Sequence, residues 1–229
     1  MKNIIKLGVA FLAVTFAGCT DGEDYKKYLE SGEIRYAAKP EQLKAYPGHH
    51  RIKLEWVILS DQNITKAKIY WRNKSDSTEV QISRKSGVDT ISTIIPLNEG
   101  SYSFDVVHYH SDGIKSLAAN VSCNSYGTSY INTLINRSVG SVSFTPSNQG
   151  VTINWGTSEN TSIGTQVYYV TTAATGSLPR SPIVGPKVNT STYTRVENNI
   201  NMQYKTMFKP DTAAIDTFYA PLANIPIKY

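Results

Sequence analysis

Four histidines, His49, His50, His108 and His110, and two cysteines, Cys19 and Cys123, are the short inventory from which a catalytic or metal site could be built. A catalytic triad needs a nucleophile beside a base. The chain contains no Gly-x-Ser-x-Gly, no His-Glu-x-x-His and no glycine-rich phosphate loop to supply one. His108 and His110 stand two apart in "SFDVVHYH", so on a strand they point to one face, a geometry that could hold a metal. Phe104 and Val106 share that parity, which makes it a core face with the histidines where it runs out at the strand end. The acidic residues are scattered, and no pair is placed across a cleft. The expectation is a chain without catalysis, metal or cofactor.

Binding is the chemistry that the composition leaves open, with 15 tyrosines against 3 tryptophans. Strand alternation in "TKAKIYWR" puts Ala67, Ile69 and Trp71 on one face and Lys66, Lys68, Tyr70 and Arg72 on the other, so Tyr70 is expected outside. Tyr169, its counterpart in a repeat described below, is expected outside as well. Tyr126, Tyr130 and Tyr219 fall in loops. These five flat, amphipathic rings could stack on a glycan or bury in a protein partner. Tyrosine also fits any half-buried pleated surface without a ligand, and the sequence leaves both readings open.

The elements that must position these residues are strands. After Pro40, short alternating segments rich in Val, Ile, Thr and Tyr are punctuated by Gly, Asn, Asp and Pro to the end of the chain. That texture predicts all-β sandwiches or barrels. The segment is also written twice. "RIKLEW" (51–56) answers "VTINW" (151–155), and "ITKAKIYW" (64–71) answers "IGTQVYYV" (163–170). This pairs Trp56 with Trp155, Ile64 with Ile163 and Tyr70 with Tyr169. "EGSYSFDVVHY" (99–109) answers "NINMQYKTMF" (199–208), pairing Tyr102 with Tyr204. In each copy a Trp closes the second strand and an aromatic third strand follows. In the first, Tyr102 follows the corner "LNEGSY". This order resembles a fibronectin type III domain, and it implies two tandem immunoglobulin-like β-sandwiches at 39–125 and 130–229, joined by a Gly/Ser/Asn/Tyr link at 125–132. Each indole is expected to fill the space between sheets, and Tyr102 to return its hydroxyl to the backbone.

At the other end, Lys2 and Lys6 precede an apolar run from Leu7 to Ala17, the length of a secretory h-region and too short to span a bilayer as a helix. The run ends in Phe16-Ala17-Gly18-Cys19, which resembles a bacterial lipobox. On that resemblance residues 1–18 are removed and Cys19 carries the acyl chains, which together anchor stably where one would be marginal. Residues 19–38 read as a tether with a turn or two of helix around Asp24–Glu30. Without the leader, 21 basic side chains face 18 acidic ones. So small and scattered an excess predicts no nucleic-acid partner. With Cys19 acylated, Cys123 has no partner and is expected as a small buried side chain, so burial rather than a disulfide must hold the fold.

The block "DYKKYLESGEIRYAAKPEQLKAYPGHHRIKLEW" followed by "ITKAKIYW" resembles a Bacteroidetes family of outer-membrane lipoproteins built on a domain of unknown function. The resemblance implies an accessory protein tethered to outer-membrane lipid through Cys19. It would face the cell surface or, alternatively, the periplasm, beside a glycan-uptake system. The acidic run after Cys19, "TDGEDY", resembles the signal for the outer face. Two functions follow as expectations: capture of an extracellular ligand such as a glycan, or a structural spacer, adhesion or protein-contact module of a membrane complex.

Overall fold

In Arg51–Ile58, RIKLEWVI, every second residue is apolar, and the strand buries Ile52, Leu54, Trp56 and Ile58 almost completely while Arg51, Lys53 and Glu55 turn toward solvent. A period of two satisfies one buried face and no other. The computed structural model describes residues 35–173, 176–198 and 201–227. Residues 37–229 form one compact unit that is nearly all β. Of the other unit, residues 1–36, only Arg35 and Tyr36 are described, in neither strand nor helix. Cys19 and the helical turns expected at Asp24–Glu30 lie outside the described residues.

The first sandwich pairs a sheet of β1 (Glu41–Pro47), β2 (Arg51–Ile58) and β5 (Asp89–Pro96), in the order β1-β2-β5, with a second sheet. That sheet runs β4 (Asp76–Gln81), β3 (Ile64–Trp71), β6 (Gly100–His110), β7 (Ala119–Ser125). The same plan follows in the second half. β8 (Val139–Thr145), β9 (Gly150–Trp155) and β13 (Thr190–Tyr193) run in the order β13-β9-β8. Opposite lie β11 (Gly176–Arg180), β10 (Ser162–Ala173), β14 (Gln203–Phe208) and β15 (Phe218–Tyr219). Two short strands complete it: β12 (Ile183–Val184) on β10 and β16 (Ala223–Asn224) on β14. Pro221, which has no amide hydrogen, falls between β15 and β16, where the last strand is interrupted. All these pairings are antiparallel, the layout of immunoglobulin and fibronectin type III sandwiches. The sequence suggested no helix in the link, yet a six-residue helix, α1 (Thr128–Thr133), stands there.

Each sandwich closes over its own core, one around Trp56 and Phe104 and the other around Trp155 and Met202. Cys123 is half-buried and packs against the first. The register of the repeat differs from the ungapped reading. Trp56 and Trp155 are 99 apart, but beyond them the copies run 98 apart, because the link from Trp to the third strand is one residue shorter in the second. A β-bulge falls between Ile64 and Lys66 in β3 and between Ser162 and Gly164 in β10, marking the same point twice. One residue inverts every side chain of a strand. Ile64 is therefore matched by Ser162, and Ile163 stands 40% exposed where Ile64 is 1%. The match of Tyr102 with Tyr204 fails as well. Tyr204 sits where Val106 does and packs edge-on against Trp155, with ring centroids 5.4 Å apart. Tyr102 does close a tyrosine corner, its hydroxyl donating to the Asn98 carbonyl at 3.0 Å.

Burying an indole requires a partner for its N–H. Trp56 Nε1 donates to His108 Nε2 at 2.9 Å, and Trp155 Nε1 donates to Ser191 Oγ at 2.8 Å. The first bond sets the His108 tautomer. With Nε2 accepting, Nδ1 carries the proton and donates to the Ala38 carbonyl at 2.7 Å, clamping the strap that leads into β1. Burial pushes the His108 imidazole below its ordinary value, outweighing the Ala38 bond and nearby Asp61, which act to raise it.

A neutral His108 in the fold and an ordinary histidine in the unfolded chain make stability pH-dependent. The contribution is complete above about pH 6.5 and is lost as pH falls toward the lowered folded value, because the unfolded chain takes up the proton first. Urea unfolding at pH 7.5 and 5.5 should show lower stability in acid, with the loss reduced in His108→Gln. Equal losses in the two proteins would assign the pH dependence to other groups.

Candidate functional site

At the junction between the sandwiches, hydrogen bonds cross from one sandwich to the other. Gly48, His49 and His50 form the β1–β2 turn, and the β14–β15 loop of the second sandwich lies on it. Ile215 N donates to the Pro47 carbonyl at 2.8 Å. Asp216 Oδ2 accepts from His49 N at 2.8 Å and Arg51 Nε at 3.0 Å, and Oδ1 accepts from Arg51 Nη2 at 2.6 Å. This two-pronged guanidinium–carboxylate fork fixes direction as well as distance. The Arg51 bond holds the Asp216 carboxyl below the usual carboxylate range against the opposing effect of partial burial. Only glycine fits at position 48, where a Cβ would stand 2.7 Å from Asp216 Oδ2 and 2.9 Å from Ile215 Cγ1.

A second set of contacts holds the link. His50 N donates to the Tyr126 carbonyl at 2.8 Å, and Tyr126 N donates to the Gly48 carbonyl at 3.0 Å. Glu99, in the corner before β6, accepts from Ser129 N at 2.8 Å and Tyr130 N at 2.7 Å, satisfying amides in the first turn of α1. Desolvation opposes the charge of Glu99, but the amides of Tyr130 and Ser129 outweigh it and keep its carboxyl below the ordinary range. On the other side, Arg137 Nε donates to the Gly156 carbonyl at 2.7 Å and Nη1 to the Val188 carbonyl at 3.0 Å, pinning the link to the second sandwich. Between the two sets lies a third, smaller core of Leu134, Phe208, Phe218 and Ala220. Phe218 is 2% exposed, with Tyr130 edge-on at 5.2 Å, Tyr126 at 5.8 Å and His49 at 5.7 Å.

This geometry places the five tyrosines singled out for binding. Tyr126 and Tyr130 pack against the third core. Tyr169 does not point outward: the shortened link turns it to the core side, where it packs edge-on against Tyr193 at 4.9 Å, and Tyr168 takes the outer face. Tyr70 is on the outer face, half-buried, its hydroxyl 3.1 Å from that of Tyr109 and the Lys68 ammonium 5.3 Å from its ring. Tyr219 is 37% exposed, with Lys205 Nζ 4.1 Å from its ring centre. His108 and His110 share the core side as their parity required, and His110 Nε2 meets Asp61 Oδ2 at 2.8 Å. What sequence reasoning missed is Arg51, Glu99 and Asp216. Each is an ordinary charged residue in a turn or at a strand end, and the Arg51–Asp216 pair is 165 positions apart.

A family model matches residues 19–218, which take in the first sandwich and the second as far as the start of β15. The chain belongs to the DUF4998 family. That family is described as a domain of unknown function. The DUF4998 chain is also similar to the crystal structure of the chicken CNTN1 FN1-FN3 domains, at 13% identity and a TM-score of 0.44, over 83% of this chain and 64% of that one. It is similar to a two-domain fibronectin type III segment of chicken tenascin, at 14% identity and a TM-score of 0.30, over 83% of this chain and 99% of that one. No curated protein matches the sequence.

Phe218→Ala should cost about 3 kcal/mol of stability, as removal of a fully buried ring does. Gly48→Ala should act differently, lifting the β14–β15 loop without opening either sandwich. Hydrogen exchange reads this directly: protection of the Ile215 amide falls while that of Val151 in β9 is kept. Equal loss at both amides would mean that the junction and the second sandwich open together.

Proposed function

We propose that this protein is a non-catalytic, lipid-anchored component of the cell envelope whose two sandwiches act as one stiff structural or interaction module. The observation that carries the reading is the junction. A flexible linker would let two sandwiches move independently. Here a carboxylate fork, a capped helix and a buried phenylalanine cross the boundary instead. The anchor is Cys19, at which the family match also begins. The acidic residues Asp21, Glu23 and Asp24 that follow it favour an outer-membrane, surface-facing position. In that place a stiff spacer sets the distance between the membrane and whatever it contacts, as an adhesion module or as a subunit of a membrane complex.

Glycan capture through the exposed tyrosines beside an uptake system is the second reading. It is placed second because Tyr126 and Tyr130 are packed against the third core and Tyr169 is turned to the core side, half-buried against Tyr193, leaving Tyr70 and Tyr219 as the rings of that set that lie off the cores.

Two measurements test the first reading. Cys19→Ser should move the protein from the membrane to the soluble fraction, and an unchanged distribution would remove the lipid anchor. X-ray scattering of the soluble Cys19→Ser chain should fit a single arrangement of the sandwiches, with a wider spread of sizes once Asp216→Ala and Phe218→Ala are added. A broad distribution before those changes would reject the stiff module. Retention on polysaccharide gels that is lost in Tyr70→Ala and Tyr219→Ala would favour glycan capture instead.

A further inference from the structure

The second sandwich carries a groove of about 490 Å³ where the β10–β11 hairpin meets the segment after β13. This lies in the size range of small-molecule sites. Two guanidinium groups, Arg180 and Arg195, line it, and no carboxylate does. Among the described residues neither arginine has an ion-pair or side-chain hydrogen-bond partner. The hydroxyls of Thr172, Ser181 and Thr194, also in the lining, are likewise unbonded there. The Tyr169 ring, braced by Tyr193, forms one wall. The nearest acidic residue in sequence, Glu197, is held by Ser177 Oγ at 2.6 Å and does not line the groove.

The backbone fixes the position of Arg195. Its φ is +56°, a left-handed conformation that glycine adopts without strain and a long side chain does not. The backbone holds it from both sides, Arg195 N donating to the Asn148 carbonyl at 3.0 Å and Thr172 N to the Arg195 carbonyl at 2.9 Å.

The first sandwich supplies a control within the same molecule. Trp71 occupies the place of Tyr169 and lines a groove of about 440 Å³ with Asp76, which stands where Arg180 does, and with Pro96 and Leu97, which stand where Thr194 and Arg195 do. There the guanidinium in the lining, Arg72, is paired with Asp76 of the same lining at 3.3 Å. Of the two matching grooves, the one in the second copy holds cations without a carboxylate.

We propose that the groove around Arg180 and Arg195 binds an acidic oligosaccharide. A guanidinium fork matches the planar oxygens of a carboxylate or sulfate. Free hydroxyls meet sugar hydroxyls, and an aromatic wall takes the apolar face of a sugar ring. A peptide binds by burying several apolar anchors, for which this lining offers only the Tyr169 ring and Pro182, and two cations are too few to hold a protein on an anionic membrane. No residue of the junction lines the groove, so the site and the stiff module stand or fall separately.

The test uses the soluble Cys19→Ser chain in calorimetric titrations with trigalacturonate, a chondroitin sulfate tetrasaccharide, uncharged galactotriose and a poly-glutamate peptide. One or both acidic saccharides should bind, more weakly as salt rises, and the better of the two decides between carboxylate and sulfate. Galactotriose and the peptide should not bind. Arg180→Gln and Arg195→Gln should each weaken binding about tenfold or more, the loss expected for a charge-assisted hydrogen bond. Both side chains are exposed, so the melting temperature should not move. The proposal is overturned if neither acidic saccharide binds, if galactotriose or the peptide binds as well, or if the double variant binds like the parent.

Discussion

Asp216 lies in a loop of the second sandwich and uses both carboxylate oxygens on the first, one on Arg51 Nη2 and the other on Arg51 Nε and the His49 amide. A loop held at that point carries Ile215 onto the Pro47 carbonyl and leads directly into β15, where Phe218 is covered by rings from the link and the first sandwich. The order of dependence runs from geometry to burial. Gly48 allows the close approach, the fork sets the direction, and the phenylalanine is then excluded from water, where most of the favourable free energy lies. An exposed ion pair contributes little by itself. Its role here is to choose one arrangement among those that hydrophobic contact alone would permit.

The two sandwiches started from one pattern and differ where polar atoms had to be satisfied. Both bury an indole, but Trp56 bonds to a histidine from β6 and Trp155 to a serine from β13. At the position of His108 the second copy has Thr206, which accepts from Arg137 N and so ties the link to the second core. In the first copy the same position ties the incoming strap, through the Ala38 carbonyl. One site in the repeat therefore anchors whatever chain precedes its sandwich. The matching grooves diverge in a comparable way, with a carboxylate, Asp76, beside Arg72 in the first and none beside Arg180 and Arg195 in the second.

The all-β class, the tandem sandwiches, the two buried indoles and the corner at Tyr102 were legible because each depends on local pattern: period-two alternation, turn residues, and an aromatic at a set place in a strand. The parity of β10 was not legible, although its residue types repeat those of β3. A one-residue shortening leaves the composition of a strand unchanged and reverses its faces, so Tyr169 reads as external and lies on the core side. α1 was missed for a different reason. It is six residues long, has no side-chain cap of its own, and draws its amide acceptor from Glu99 about thirty positions earlier.

By itself, then, the sequence determined the strands and the two cores, since these follow from the order of polar and apolar side chains along the chain. Only the tertiary structure decided that Arg51 meets Asp216, that Tyr126 and Tyr130 surround Phe218, and that Arg180 and Arg195 share a groove without a carboxylate. Pairings of this kind join positions far apart in the chain. Alternation reports only the side of a strand on which a residue lies, and carries no information about which distant loop will be folded against it.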